Sequence, residues 1–97
     1  MATLHIEQAI TDLPTWLGAF ARFAEARAGA GVRQTRIHQP VDDDRYIYVQ
    51  LDFDDVEAAT AFLSVLRSAV WASPEASPGL GGTPTGRVLT DIAVPEG

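Results

Sequence analysis

The chain alternates between apolar and polar residues in four separate segments, as strands do when only one of their faces is buried. These segments are residues 3–10, 32–39, 45–53 and 87–94. In 45–53, where the alternation is clearest, one side carries Ile47, Val49, Leu51 and Phe53 and the other carries Tyr46, Tyr48, Gln50 and Asp52. The first segment has an apolar side formed by Leu4, Ile6 and Ile10. The last segment has one formed by Val88, Ile92 and Val94. The pattern predicts four strands, each with an apolar side.

Two stretches between these strands repeat apolar residues at helical spacing. The first begins after the capping residue Asp12 and Pro14, ends near Gly29 to Gly31, and carries along one stripe Trp16, Phe20, Phe23 and Arg27. The second begins after Asp54 and Asp55 and runs to about Ala72, with apolar positions at Val56, Ala59, Phe62, Leu63, Leu66 and Val70. Residues 73–86 are rich in Pro, Gly and Ser and predict a long connection to the last strand.

The resulting order, β-α-β-β-α-β, predicts an α+β ferredoxin-like fold over residues 1–97, as a single domain. In this fold a four-stranded antiparallel sheet carries two helices on one face. The other sheet face then holds His5, Glu7, Tyr46, Tyr48 and Gln50, with Leu89 and Asp91 beside them. A second copy of the chain would cover that face, and we therefore expect a homodimer that closes into an α/β barrel.

Composition and charge exclude several classes of function. The 97 residues include no cysteine, so disulfides, thiolate nucleophiles and cysteine zinc sites are excluded. All seven basic residues are arginines, and thirteen acids give a net charge of −6, which disfavours binding to nucleic acids and to anionic membranes. The sequence shows no signal peptide and no apolar run long enough to span a bilayer, and the expected location is the cytoplasm.

The candidates for chemistry on the polar sheet face are two histidines and two tyrosines. His5 and His38 are expected on adjacent strands, with Glu7 as a partner, and form either an acid–base group or hydrogen-bonded residues at a dimer seam. Tyr46 and Tyr48 share a face and either contact an aromatic substrate or pack across strands in a barrel. We predict His38 and Tyr48 as catalytic residues. No metal site is predicted, because no third converging ligand can be identified.

Large aromatic residues on both helices predict either a core or the walls of a ligand pocket. We predict that four of them bind substrate: Trp16, Trp71, Phe20 and Phe62. Trp16 and Trp71 lie near helix ends, where the mouths of pockets occur. An enclosed apolar pocket beneath these two tryptophans, with at least one converging polar group, would favour a binding function, whereas a solid core would favour a non-catalytic module.

The sequence resembles the dimeric α/β-barrel superfamily of small monooxygenases, cyclases and stress-responsive proteins, and looks most like its antibiotic-biosynthesis-monooxygenase-like members. The resemblance covers nearly the whole chain. It rests on the element order, on the Trp16, Phe20 and Phe23 positions, on RYIYVQLDFDDVEAATAFL at 45–63, and on Val70-Trp71 before Ser73-Pro74. It implies a small-molecule site between helices and sheet. The haem-degrading members use an Asn, a Trp and a His, but this sequence contains no Asn.

Two functions follow as alternatives. The resemblance implies a homodimer that binds a small apolar or aromatic, polyketide-like metabolite and, if it is an enzyme, acts as a monooxygenase or cyclase without a cofactor. Orientation of the substrate and a dry pocket would then be the protein's contribution. The alternative is a non-catalytic dimerisation or regulatory module, which the absence of a recognisable catalytic set favours. An amino-acid-sensing domain is a third interpretation of the same topology.

Overall fold

A computed structural model describes residues 1–73, 79 and 81–95 of the chain. Its elements are β1 (Ala2–Ala9), α1 (Leu13–Arg22), α2 (Ala24–Gly29), β2 (Gln34–His38), β3 (Tyr46–Phe53), α3 (Val56–Val65) with a π-helical turn (Leu66–Val70), and β4 (Thr85–Thr90). The strands form one antiparallel sheet in the order β2-β3-β1-β4. This is the predicted ferredoxin-like α+β fold.

The alternation read from the sequence determines which side of the sheet is buried. On β1 every even-numbered residue is buried and every odd-numbered one is half-buried from Ala2 to Ala9. Leu4 lies opposite Leu51 of β3 and Val88 of β4, so the apolar residues of three strands meet on one face. We call this helix-covered side the inner face and the opposite side the outer face. The largest fully buried side chains belong to the inner face: Phe53, Leu4, Ile47, Leu51 and Val49.

Both predicted helix starts are confirmed, and each has an aspartate cap. Asp12 accepts hydrogen bonds from the backbone N–H of Thr15 at 2.9 Å and from its hydroxyl at 2.6 Å. Asp55 accepts from the N–H of Ala58 at 2.8 Å. These bonds satisfy amide groups that have no partner inside the helix. Asp54, predicted as a cap as well, instead forms a two-pronged pair with Arg33 at 2.6 and 3.0 Å.

The prediction of one continuous first helix is wrong, because the helix breaks at Phe23. Phe23 leaves the helical conformation (φ −98°, ψ 14°), and its N–H bonds to the carbonyl of Phe20 at 3.2 Å. The guanidinium of Arg27 donates to the same carbonyl at 2.6 Å, in place of the next helical amide. The sheet therefore carries three helices and not two. Gly31, at φ 93°, ends the second of them.

The last strand begins and ends earlier than predicted. Thr90 pairs with Ala2 of β1, so no residue of β1 remains to pair with the chain beyond this point. Ile92 and Val94, expected on the apolar side of the strand, are 83% and 85% exposed. Of the predicted connection 73–86, residues 74–78 and 80 lie outside the described residues.

The helices of the described part of the chain are all too short or too polar to cross a membrane.

Candidate functional site

A cavity lies between the helices and the inner face of the sheet. It has about 570 Å³ of atom-free space including the solvent at its opening, and about 70 Å³ of this admits the centres of water-sized spheres. A single water needs about 10–15 Å³ on the second measure, whereas a cavity that encloses benzene has about 150 Å³. The enclosed part therefore holds only part of a small organic ligand, and the rest of the ligand would occupy the opening. All the helices and two central strands contribute to its wall: Ile6, Gln8, Trp16, Ala19, Phe20, Phe23, Arg27, Val49, Leu51, Phe62, Leu66, Val70 and Trp71.

The four residues that we predicted to bind substrate all line this cavity. Trp16 and Phe20, one turn apart on α1, stack with ring centroids 5.0 Å apart and planes inclined by 20°. Phe62 of α3 is buried, and its ring lies 5.9 Å from that of Phe53. Their binding role stays a prediction. The structure does bring all four aromatic side chains to the wall of one cavity.

The π-helical turn after α3 positions Trp71. The N–H of Trp71 bonds to the carbonyl of Leu66 at 2.7 Å, a spacing of five residues that a regular α-helix does not have. The wider turn rotates Leu66, Val70 and Trp71 toward the cavity. Gly86 on β4 leaves room for the Trp71 ring, since a Cβ at this glycine would lie 3.3 Å from the ring and only 2.6 Å from Leu63 Cδ1.

Two polar residues that the sequence analysis did not select also line the cavity. Gln8 stands at an inner-face position of β1 and is 5% exposed, and no described residue donates a hydrogen bond to its Oε1. Arg27 places its guanidinium carbon 3.7 Å from the centre of the Phe20 ring, and burial lowers the pKa of this arginine. Both could have been found by their positions: Gln8 interrupts an apolar strand face, and Arg27 ends the apolar stripe of the first helix.

The predicted catalytic residues lie away from the cavity. Tyr48 is on the outer face of β3, and His38 lies opposite it on β2. Neither side chain lines the cavity. Their catalytic role stays a prediction, and it would apply to the outer face only.

The expectation that His5 and His38 occupy adjacent strands is wrong. β3 lies between β1 and β2, so Tyr48 separates the two histidines. The predicted partnership of His5 with Glu7 is present, at 3.1 Å. The ring of His5 lies 6.1 Å from that of Tyr48.

The outer face carries a continuous hydrogen-bond network instead of an isolated acid–base pair. Its bonds run across the sheet through Tyr46, Glu7, His5, Gln50, Arg36, Asp52 and Thr3. The Tyr46 hydroxyl donates to Glu7 at 3.0 Å, and burial together with this carboxylate raises the pKa of Tyr46. The network satisfies polar groups on a face that is already half-buried in the single chain.

Within the described residues, no three histidine, aspartate or glutamate side chains converge as metal ligands would.

Comparisons with known proteins find relatives by structure only. No protein-family model matches the sequence, and no curated protein matches it. A Bordetella bronchiseptica protein described as a candidate antibiotic biosynthesis monooxygenase superposes with a TM-score of 0.71 and 10% identity, over 95% of this chain and 98% of that one.

Two further structures show the same fold. A monooxygenase from Streptomyces coelicolor in complex with the ligand Nanaomycin D superposes with a TM-score of 0.65 and 14% identity, over 99% of this chain and 91% of that one. A dimeric ferredoxin-like protein from an uncultured marine organism gives 0.58 and 11%, over 98% and 95%. The chain thus has the ferredoxin-like fold of the antibiotic-biosynthesis-monooxygenase proteins, the group that its sequence resembles.

Proposed function

We propose that the protein binds a small, flat, aromatic metabolite in the cavity between its helices and sheet. The observation that carries the proposal is the combination of an aromatic wall with a buried, unpartnered polar atom, Gln8 Oε1. Ligand sites are mostly apolar concavities with a few polar groups that orient the ligand. A cavity formed by imperfect packing alone has no reason to include a buried amide, because burial of an unsatisfied polar group destabilises the fold.

We further propose that the bound metabolite is the substrate of a cofactor-independent oxygenation or cyclisation. The likeness of the fold to monooxygenases, one of them solved with a ligand, supports this reaction class. Among the described residues, the cavity wall includes neither a carboxylate nor a histidine. Its residues can therefore orient an electron-rich ring, exclude water and stabilise negative charge through Arg27, while the reactivity comes from the substrate.

A ligand screen tests the binding proposal. Purified protein is titrated with aromatic compounds of one to three rings, and binding is followed by thermal shift and by tryptophan fluorescence, which Trp16 and Trp71 report. We expect two- and three-ring compounds to stabilise the protein and to change its emission. A Trp71→Leu variant should weaken binding, whereas Tyr48→Phe, on the outer face, should not. Absence of binding by every compound would overturn the proposal and favour a non-catalytic module.

Oxygen uptake tests the reaction. Each stabilising compound is incubated with the protein in an oxygen electrode cell, and the products are identified by mass spectrometry. Oxygenation predicts an uptake rate that scales with protein concentration. Because the substrate is then the only reductant, its product should have gained one oxygen and lost two hydrogens, the second oxygen atom of O2 leaving as water. Cyclisation predicts a product without uptake. Binding without turnover of any bound compound would assign the cavity to a sensing or carrier role.

We also propose that two copies pair through their outer faces. On this face of β1 and β3, four polar side chains are half-buried in the single chain and form hydrogen bonds with one another: His5, Glu7, Tyr46 and Gln50. Covering them therefore leaves few of their polar groups unpaired. Leu89 of β4 lies on the same face and is 41% exposed. The dimeric ferredoxin-like protein of the same fold supports a dimer but does not identify the interface. Light scattering coupled to size exclusion tests it, and a monomer at micromolar concentration would contradict it.

A further inference from the structure

Arg27 forms part of the cavity wall and has no acidic partner among the described residues. In the part of the chain that the structure describes, no carboxylate lies within ion-pair distance of it, whereas Arg33 pairs with Asp54 and Arg36 pairs with Asp52. Its single hydrogen bond to a described residue goes to the Phe20 carbonyl. Its other N–H groups donate to no described residue, and the side chain forms part of the cavity wall.

The environment of Arg27 favours an anion over a neutral ligand. The guanidinium is half-buried and lies over the Phe20 ring, and its loss of hydration is not offset by a protein carboxylate. Arginine binds planar carboxylates through paired hydrogen bonds, and such charge-assisted bonds are stronger in a partly dry site. A chain with a net charge of −6 repels anions in general, so anion binding here depends on this local charge.

Gln8 contributes a second and independent requirement. The side chain is 95% buried, its Oε1 accepts no hydrogen bond from any described residue, and it forms part of the cavity wall. A ligand hydroxyl would satisfy this oxygen, whereas a purely hydrocarbon ligand would displace solvent and leave it unpaired. Buried acceptors left unpaired in this way discriminate strongly between ligands.

We propose that Gln8 and Arg27 make the cavity selective for aromatic ligands that carry two groups: an ionised oxygen, held by Arg27, and a hydroxyl that donates to Gln8. Hydroxylated aromatic carboxylates are the corresponding chemical class, since they carry both groups. This inference rests on the proposed binding function and adds the class of ligand to it. A purely structural role for Arg27, holding the carbonyl at the helix break, would give no preference among ligands.

A matched set of naphthalene compounds tests the selectivity. The isomers of hydroxynaphthoate carry both groups, naphthoate carries the anion alone, naphthol at pH 7 carries the hydroxyl alone, and methylnaphthalene carries neither. We expect the best hydroxynaphthoate isomer to bind more tightly than naphthoate and naphthol, each by about 10-fold or more, because each lost hydrogen bond to a charged or buried group is worth at least that factor. Methylnaphthalene should bind most weakly.

Variants test whether Arg27 causes the preference for the anion and Gln8 the preference for the hydroxyl. Arg27→Gln should remove the preference for the anion, weakening naphthoate far more than naphthol, and Arg27→Lys should restore part of that preference. Gln8→Met should remove the preference for the hydroxyl. The matched controls are Arg22→Gln and Gln34→Met, which change exposed residues outside the cavity wall. A thermal melt of each variant confirms that it is folded.

The outcomes separate this inference from the function on which it rests. If no naphthalene compound binds, the proposed function fails. If naphthol or methylnaphthalene binds the wild type as tightly as hydroxynaphthoate does, the cavity binds aromatics but the inference is wrong. It is also wrong if Arg27→Gln weakens all four compounds equally, since that result identifies Arg27 as a structural residue. Wild-type selectivity decides the case even if a variant does not fold.

Discussion

The Arg36 guanidinium donates two hydrogen bonds to the Asp52 carboxylate, at 2.8 and 3.0 Å, across neighbouring strands on the outer face. The Thr3 hydroxyl donates a further bond to the same carboxylate at 2.8 Å. Asp52 is only 7% exposed, so the bonds join three strand segments in a place that water hardly reaches. The pair with Arg36 lowers the pKa of Asp52, with Thr3 adding to the effect against the opposing effect of burial.

This pair predicts that the protein loses stability in acid. Because the folded pKa of Asp52 lies below its unfolded value, near 3.9, the pair stabilises the fold fully above that pH and loses its effect as the pH falls through the folded pKa. Asp52→Asn should lower the melting temperature by about 4–8 °C at pH 7. The difference from wild type should shrink below pH 4. The control is Asp42→Asn, in an exposed loop residue, and an equal loss there would contradict the role of the pair.

We predict that replacing the buried Gln8 increases the stability of the fold. Replacement by methionine, which has a similar length and no strong hydrogen-bonding atoms, removes a buried oxygen that has no partner. We expect Gln8→Met to raise the free energy of unfolding by about 1–2 kcal/mol in urea titrations without added ligand. The same variant should bind hydroxylated ligands less well, so that stability and affinity change in opposite directions. A loss of stability would show that the amide is satisfied by other groups.

We predict that the backbone at Gly79, beside the cavity, requires a glycine. It has φ +89°, and a Cβ there would lie 3.1 Å from the backbone nitrogen of Trp16 and 3.2 Å from its Cα. Its carbonyl also accepts the N–H of Thr11 at 2.8 Å, which ties this residue to the start of α1. Gly79→Ala should destabilise the fold by about 1–2 kcal/mol and alter Trp16 fluorescence. Gly82→Ala is the control, since its Cβ would enter open space, and it should leave stability nearly unchanged.

We predict that replacing Trp71 weakens ligand binding without a large loss of stability. Its ring is only half-buried in the free protein, in contrast to Trp16 at 5% exposed. Trp71→Leu should weaken the binding of aromatic ligands by about 10-fold, because an aromatic ring of the cavity wall is removed. Trp16→Leu should cost more in stability, about 2–4 kcal/mol, since Trp16 belongs to the core. Calorimetric titration and urea unfolding of both variants measure the two effects, and unchanged affinity in Trp71→Leu would contradict the location of the site.

We predict that a charge at the position of Leu89 disrupts the proposed dimer. A charge placed on the outer face would be buried without a partner when two copies pair, so Leu89→Asp should shift the protein to monomers. The control is Leu17→Asp, whose residue on α1 is equally exposed, at 42% against 41%. Leu17→Asp should remain dimeric in light-scattering measurements. If both variants dimerise like the wild type, the outer face is not the interface.

The alternation of residues along the strands was sufficient to predict the fold. Strand residues at intervals of two and helix residues at intervals of three and four decide which side chains are buried, and that pattern is local. The start of each helix could also be predicted, because the Asp12 and Asp55 caps act on amides only three residues ahead. The sequence also indicated four aromatic residues that line the cavity, because they occupy apolar helix positions near the predicted sheet: Trp16, Phe20, Phe62 and Trp71.

Only the tertiary structure decided how these elements meet. The break at Phe23 depends on Arg27 donating to a carbonyl seven residues away, and the end of β4 depends on where β1 begins. The insertion of β3 between β1 and β2 separates His38 from His5 and places Tyr48 opposite His38. Whether a buried polar residue such as Gln8 finds a partner is settled by packing between distant segments. Sequence periodicity determines which face a residue occupies, whereas its partners depend on contacts that close only in the folded chain.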